Sequence, residues 1–473
     1  MAAIVIEIPE GLKDFGERVC ELVKAIEGTK AEAIGGRGID YAGVERQMAQ
    51  QSAAIEREAH RAILKGLDVN REHVMIDGAQ HTRVGYSDAT YYTMGGPVVI
   101  SRALYRRNGE RNGKVVDAVS LRTGALDGGW LPQTATAMAY LVQQGTSREA
   151  AQTAAQLGRL PYARCSFERV AHHVGHLYVS THADVEDALM SVYEVPRSAR
   201  SVSVSLDRVS VPMEESRPRP VGRPRKGAPK RPVTRAFRMA YCATVTLHDK
   251  DGNALHTTRY GRMPLSDIES LCDALAGDVA ALLAKRRGLE VVLLTDGAPE
   301  LRDRLARHLS SERIGIEAHQ LVDLWHVIEK LGRAAQMIHG AAHGADVTQR
   351  WKLLLCNSTQ AVSRILGELE RSGMRDVSVG DLRPVHDAIT YLENQRYRMD
   401  YVTARQLGLP IGSGNVEATC KSLVGIRMKR PGARWKETTG EHIIQLRAVA
   451  LSDRWDNALS LTLAPLRHVV RAA

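Results

Sequence analysis

SVSVSLDRVSV, residues 201–211, alternates apolar and small polar side chains with a period of two, the pattern of a β-strand, and carries one acid, Asp207, near its middle. Two more such runs follow it, AFRMAYCATVTLHD (236–249) and ALHTTRYGRM (254–263), joined by an Asp-Gly-Asn turn. A helical stretch over 267–285 then leads to LEVVLLTDGAPE (289–300), an apolar strand that ends in Asp296, with Pro299 placed to open the next helix. A further helix to about 309, the strand IEAHQLV (316–322) and another helix complete the run. Three strands in meander followed by alternating helices and strands describe an α/β domain with a mixed sheet.

Working outward, the segment from about 323 to 406 is mainly helical and reads as an insertion. Beyond it IGSGNVEATCKSLVG (411–425) gives a Gly-rich turn and a helix whose first turn holds Glu417. Each of the three acids has an ordinary use: Asp207 as an exposed acid on an alternating strand, Asp296 as a turn-forming cap, Glu417 as a carboxylate at a helix start. Brought together, they would repel one another unless a divalent cation neutralised them. Oxygen ligands select magnesium or manganese, and two such ions suit in-line attack on a phosphodiester.

Upstream, residues 1–70 hold two helical stretches, at about 11–28 and 41–65. Residues 71–125 read as a small β module, in which the hairpin tip Arg106 to Lys114 could touch phosphate but is read first as a solvated turn. Residues 126–198 give three helical stretches at about 132–144, 147–157 and 166–178. A helix-turn-helix reader and a plain three-helix bundle are both open here, because the link before the third helix exceeds the usual three or four residues. In the former case Arg164, Arg169, His172 and His173 would face the groove. The α/β domain spans 199–450, and 451–473 form a tail.

The chain has 473 residues, with 64 Lys and Arg against 54 Asp and Glu, for a formal charge of +10 and a pI near 9.3. That balance favours a polyanionic partner without naming it. RPRPVGRPRKGAPKRPV (217–233), inside an arm over 216–235, is basic, Pro-rich and free of apolar periodicity. Its Arg223, Arg225 and Lys226 suit phosphate or a narrow minor groove. Arg427, Lys429, Arg430, Arg434 and Lys436 form a second basic run beyond Glu417, with Trp435 read as core packing. Six scattered cysteines without CxxC spacing exclude a zinc ribbon or a disulfide framework. No apolar run of membrane-spanning length occurs, and the start MAAIVIEIPEGLKDFG lacks the layout of a signal peptide, so a cytoplasmic, nucleoid-associated protein is expected.

LDRVSV, LLTDGAPEL, VDLWHVIEKL, NQRYRMDY and above all IGSGNVEATCKSLVGIRMKRPGARW resemble bacterial insertion-sequence transposases of the DDE class, in particular the ISKra-type group, over roughly 202–447. The resemblance implies an RNase H-like mixed-sheet catalytic domain in which Asp207, Asp296 and Glu417 are the catalytic acids and hold two Mg2+ or Mn2+ ions. It also implies a D-x-x-H element in Asp323 and His326, where His326 is otherwise a packed imidazole. Lys421, one turn after Glu417, would contact the same phosphate or pair with the acid. The implied partners are transposon ends and target DNA, held by a homodimer or larger homo-oligomer. Cysteine pairs frequent near the upstream ribbon of relatives are absent from this chain. An RNase H-like endonuclease or resolvase, and a transposase-derived DNA-binding protein without catalysis, are the competing readings.

Overall fold

The strand expected over 201–211 runs as β5 of ten strands in a computed structural model, which describes residues 5–34, 38–214, 227, 235–296 and 298–473. The chain divides into two units, Met1–His182 with Asp456–Ala473, and Ala183–Trp455. Both are mixed helix and strand, and each holds an open five-stranded sheet.

In the first unit, α1 (Lys13–Ile34) and α2 (Tyr41–Leu67) precede β1 (His73–Ile76), β2 (Ala79–Thr93), β3 (Gly96–Arg107) and β4 (Val115–Asp117). Asp40 caps α2 by accepting from the Gly43 amide at 3.1 Å. β2 and β3 form a long antiparallel hairpin whose turn is fixed by Thr93, whose hydroxyl donates to the Gly96 carbonyl at 2.7 Å. Along β3 the buried parity switches, so that Val98 and Ile100 enter one core cluster from one face and Ala103 and Tyr105 enter another, with Val74, Ile76 and Val470, from the opposite face. Tyr91, Val98 and Ile100 pack with Leu64 of α2. There follow α3 (Ala118–Thr123), α4 (Pro132–Gln144), α5 (Ser147–Gln156) and α6 (Arg164–Val192), with a complete capping box at Thr146 and Glu149 opening α5. The last residues, expected as a tail, instead form a helix, Trp455–Leu463, and a strand, Val470–Ala472, that pairs antiparallel with β1 and completes the sheet.

In the second unit, β5 (Ser201–Glu214), β6 (Arg235–His248) and β7 (Ala254–Arg262) form the meander, followed by α7 (Ile268–Lys285), β8 (Glu290–Thr295), α8 (Pro299–His308), α9 (Ser311–Ile314) and β9 (His319–Val322). The strands lie in the order β7-β6-β5-β8-β9, with β5–β8 and β8–β9 parallel and the rest antiparallel. β5 is central because it is apolar or small on both faces. Val202, Val204 and Leu206 point one way, with Val245 and Leu293, into a core closed by Leu271, Leu275 and Val279 of α7 and Leu301 and Leu305 of α8. At about 25 cal/mol per Å2 of apolar surface removed from water, burial of this many aliphatic side chains is the main source of the unit's stability.

The expected insertion is helical: α10 (Leu324–Asn357, broken at Gly340), α11 (Ala361–Arg371), α12 (Pro384–Gln395) and α13 (Tyr401–Gln406), with a core of its own around Leu331, Trp351, Ile365 and Leu392. Then α14 (Gly414–Cys420) continues through a π-helical turn, Lys421–Gly425, into α15 (Ile426–Met428), and α16 (Glu437–Leu451) follows. Cys420, Leu423, Val424, Met428 and Ile444 cover Val211, Ala240 and Cys242 on the second face of the sheet. Among the described residues, no helix is long and apolar enough to cross a membrane.

Candidate active site

The strand register sets the acids. Ser205 of β5 lies level with Leu294 of β8, and Leu294 with Leu321 of β9. Two residues further along each strand come Asp207, Asp296 and Asp323, on the same sheet face because the period of a strand is two. The Asp323 amide extends the ladder by donating to the Thr295 carbonyl at 3.0 Å. Three neighbouring parallel strands thus each place an acid at one level.

Asp207 is half-buried, and its pKa stands above the ordinary carboxylate value. Burial is the main cause, and the negative charge of Asp296 adds to it; the Arg208 amide, the Cys420 thiol and His326 act in the opposite direction. Its oxygens accept from the Arg208 amide at 2.6 Å and from the Cys420 thiol at 3.5 Å. Cys420 is itself hydrogen-bonded to Cys242, the residue opposite Asp207 on β6, and that contact, with burial, pushes its thiol far above the ordinary range. Asp296 accepts from the Ala298 amide at 3.0 Å, so the expected turn-forming use is also present, and its carbonyl accepts from the Tyr391 hydroxyl at 2.9 Å.

Asp323 is 3% exposed and hydrogen-bonded on both oxygens. One accepts from the amides of Trp325 at 2.6 Å and His326 at 3.3 Å, capping α10; the other accepts from the Ser413 amide at 2.6 Å and from the Ser413 hydroxyl. Burial alone would raise its pKa, but His326, Ser413 and the Trp325 amide outweigh it and lower the value to about 2. This carboxylate therefore joins the start of α10 to the loop that leads into α14. His326 Nδ1 lies 3.8 Å from Asp323, which raises the imidazole pKa against the effect of burial, and Asp296 adds to the rise.

Glu417 lies on α14, one turn before the Cys420 that meets Asp207. Its side chain is 60% exposed and forms an ion pair with Lys421 at 2.7 Å. Among the described residues, no three His, Cys, Asp or Glu side chains are grouped so as to hold a metal ion.

The basic residues divide by burial. Lys429, Arg434 and Lys436 are exposed and Arg430 is half-buried, whereas Arg427 is 6% exposed and its guanidinium lies 4.9 Å from the Trp435 ring centroid. Arg427 is therefore a packed side chain and not an open phosphate contact, a correction to the sequence reading that follows from its place on the buried face of α15. Trp435 packs as expected and donates to the Met428 carbonyl at 3.0 Å. Arg164 and Arg169 are exposed on α6 of the first unit, while His172 and His173 are half-buried. Arg223, Arg225 and Lys226 lie outside the described residues.

Sequence reasoning missed two side chains. The sequence places Ser413 only within a Gly-rich turn. Arg398, fully buried, donates to the Thr295 hydroxyl at 2.6 Å and the Leu321 carbonyl at 3.1 Å, which ties the ends of β8 and β9 to the insertion. The motif NQRYRMDY holds that arginine, but nothing in its spacing distinguishes a buried guanidinium from an exposed one. Compared with known proteins, the chain matches no family model, and no curated protein matches its sequence.

Proposed function

We propose that the chain is a DDE-type DNA transposase with an RNase H-like catalytic unit, acting on transposon ends and target DNA as a homodimer or larger homo-oligomer. The observation that carries the reading is the pairing of Asp207 and Asp296 at one level of adjacent parallel strands, close enough for the charge of one to raise the pKa of the other. The sheet order, third-second-first-fourth-fifth in the sequence of its strands, is the one expected of an RNase H-like domain. So is the helix with the third acid that follows the insertion.

The donor set fits a divalent cation at two of its three positions. Like charges at one level of neighbouring strands are relieved by positive charge, and carboxylate oxygens suit Mg2+ or Mn2+. Glu417 would complete the set once its ion pair with Lys421 opened. Bound there, a pair of ions would stabilise the attacking and leaving oxygens of an in-line phosphoryl transfer. Asp207 and Asp296 would hold them, and Asp323 would fix the loop that carries α14. His326, kept protonated to higher pH by Asp323 and Asp296, would offer positive charge to a phosphate. Lys429, Arg434 and Lys436 would bind flanking phosphates, with affinity that falls as salt rises.

The test is Asp296→Asn, assayed for Mg2+-dependent cutting of DNA that carries the element's ends and for joining of the freed 3′-hydroxyl to a second DNA. Loss of cutting with DNA binding kept is expected. A variant that cuts normally overturns the assignment, and cutting without joining by the unaltered protein favours an endonuclease or resolvase.

A further inference from the structure

A cleft of about 680 Å3 opens in the second unit where the β6–β7 turn, the loop before α14 and the start of α10 meet. His248, Lys250, Asn253, Arg405 and Asn415 line it with Trp325, and Asp251 is the one acid among its lining residues. The residue Trp325 is 57% exposed, which is unusual for the largest apolar side chain on a polar wall. Two features hold the ring in place. The Lys352 ammonium lies over it, 4.0 Å from the centroid. The loop backbone comes close because residue 412 is glycine: a Cβ there would lie 3.1 Å from Cδ1 and 3.2 Å from Nε1 of the indole.

The Trp325 amide donates to Asp323 at 2.6 Å, and Asp323 stands level with Asp296 and Asp207 on the neighbouring strands. The cleft wall thus begins beside the level of the acids, within reach of a nucleotide that neighbours a phosphate held there. We propose that this cleft is a subsite for one unpaired nucleotide of a DNA strand, with the base stacked on Trp325 and the adjoining phosphates taken by Lys352, Lys250 and Arg405. The exchange is favourable on each side. A base stacks on an indole more strongly than an exposed ammonium does, and the displaced Lys352 gains a phosphate partner. Arg405 is already braced by the Cys356 carbonyl and the Asn357 side chain, both at 3.2 Å, so little freedom is lost when it binds.

The inference rests on the strand-transfer reading but is tested apart from it. Binding of fluorescein-labelled oligo(dT) and of a blunt duplex of equal length is measured by anisotropy in EDTA, so no metal or cutting enters. Trp325→Ala is expected to weaken oligo(dT) binding about tenfold and leave duplex binding unchanged, while Trp325→Phe stays within about threefold of the unaltered protein. Three results would each overturn the subsite: unchanged oligo(dT) binding in Trp325→Ala, an equal loss for the duplex, or no rescue by phenylalanine. Failure here leaves the Asp296→Asn cutting assay as it stands, and failure there leaves the oligo(dT) result as it stands.

Discussion

Asp207 and Asp296, level with one another on a parallel strand pair, and Asp323 on the next strand along, start from equivalent backbone positions and end in different chemistry. Asp323 receives four hydrogen bonds from three residues and is held ionised with a pKa of about 2. Asp207 receives one amide and one thiol, and its pKa is raised by burial and by its acidic neighbour. Position along a strand brings an acid to a site; the donors around it decide whether its lone pairs are spent on the fold or left for a ligand.

That contrast can be broken at several points. The largest effect is expected from Asp296→Asn, about a thousandfold loss of Mg2+-dependent cutting in a protein whose melting temperature is unchanged, since several kcal/mol of transition-state stabilisation depend on the bound ions. Asp323→Ala should do the reverse and act first on folding, by about 3 kcal/mol in urea titrations, because it leaves buried donors at Ser413 and the start of α10 without an acceptor. If Asp323→Ala proves as stable as the unaltered protein, the two sites do not differ in the way described.

Acid sharpens the comparison. The folded pKa of Asp323 is depressed from 3.8 to about 2, so its contribution is complete above pH 4 and is lost as pH falls through 2. The difference amounts to about 2 kcal/mol, which should be present in the unaltered protein and missing from Asp323→Asn when stability is followed between pH 5 and 2. Asp207 has the opposite sign: its raised pKa favours the folded state at low pH, and that contribution fades as pH rises through the folded value. The smallest effect belongs to Lys421→Ala. Its ion pair with Glu417 is exposed on both sides, so stability should change by less than about 0.5 kcal/mol by thermal unfolding. A larger loss would mean that the pair fixes α14 and is not a surface contact.

Much of the second unit was legible because its signals are local. Alternation marked β5 to β7, four apolar residues before Asp296 marked β8, and Pro299 opens α8 where expected. The helix expected to end at about 178 is α6, which runs to Val192 and so passes from the first unit into the second. The hydroxyl and Asp residues after Tyr178 look like a new cap, but Ser180 and Thr181 bond back to the Leu177 carbonyl and Val185, Leu189 and Met190 keep the buried stripe. The strand Val470–Ala472 was out of reach for another reason: three residues are too few to show a period, and its partner β1 lies nearly 400 residues earlier. At the site, the acids could be named from their settings and the Glu417–Lys421 pair was one of two uses open to Lys421, but not that Arg427 would be covered or that Ser413 would bind Asp323. Each of those depends on which face of a helix or loop is buried, and that is decided by tertiary contact.

The π-helical turn at Lys421–Gly425 holds one residue more than an α-helical turn would, so the segment before it is out of phase with the segment after it by about 100°. Leu423, Val424 and Met428 anchor the downstream side against the sheet. Excising Ser422 would restore a continuous spiral and swing the Cys420 sulfur off Asp207, together with the bearing of Glu417, although every other residue in the helix kept its identity.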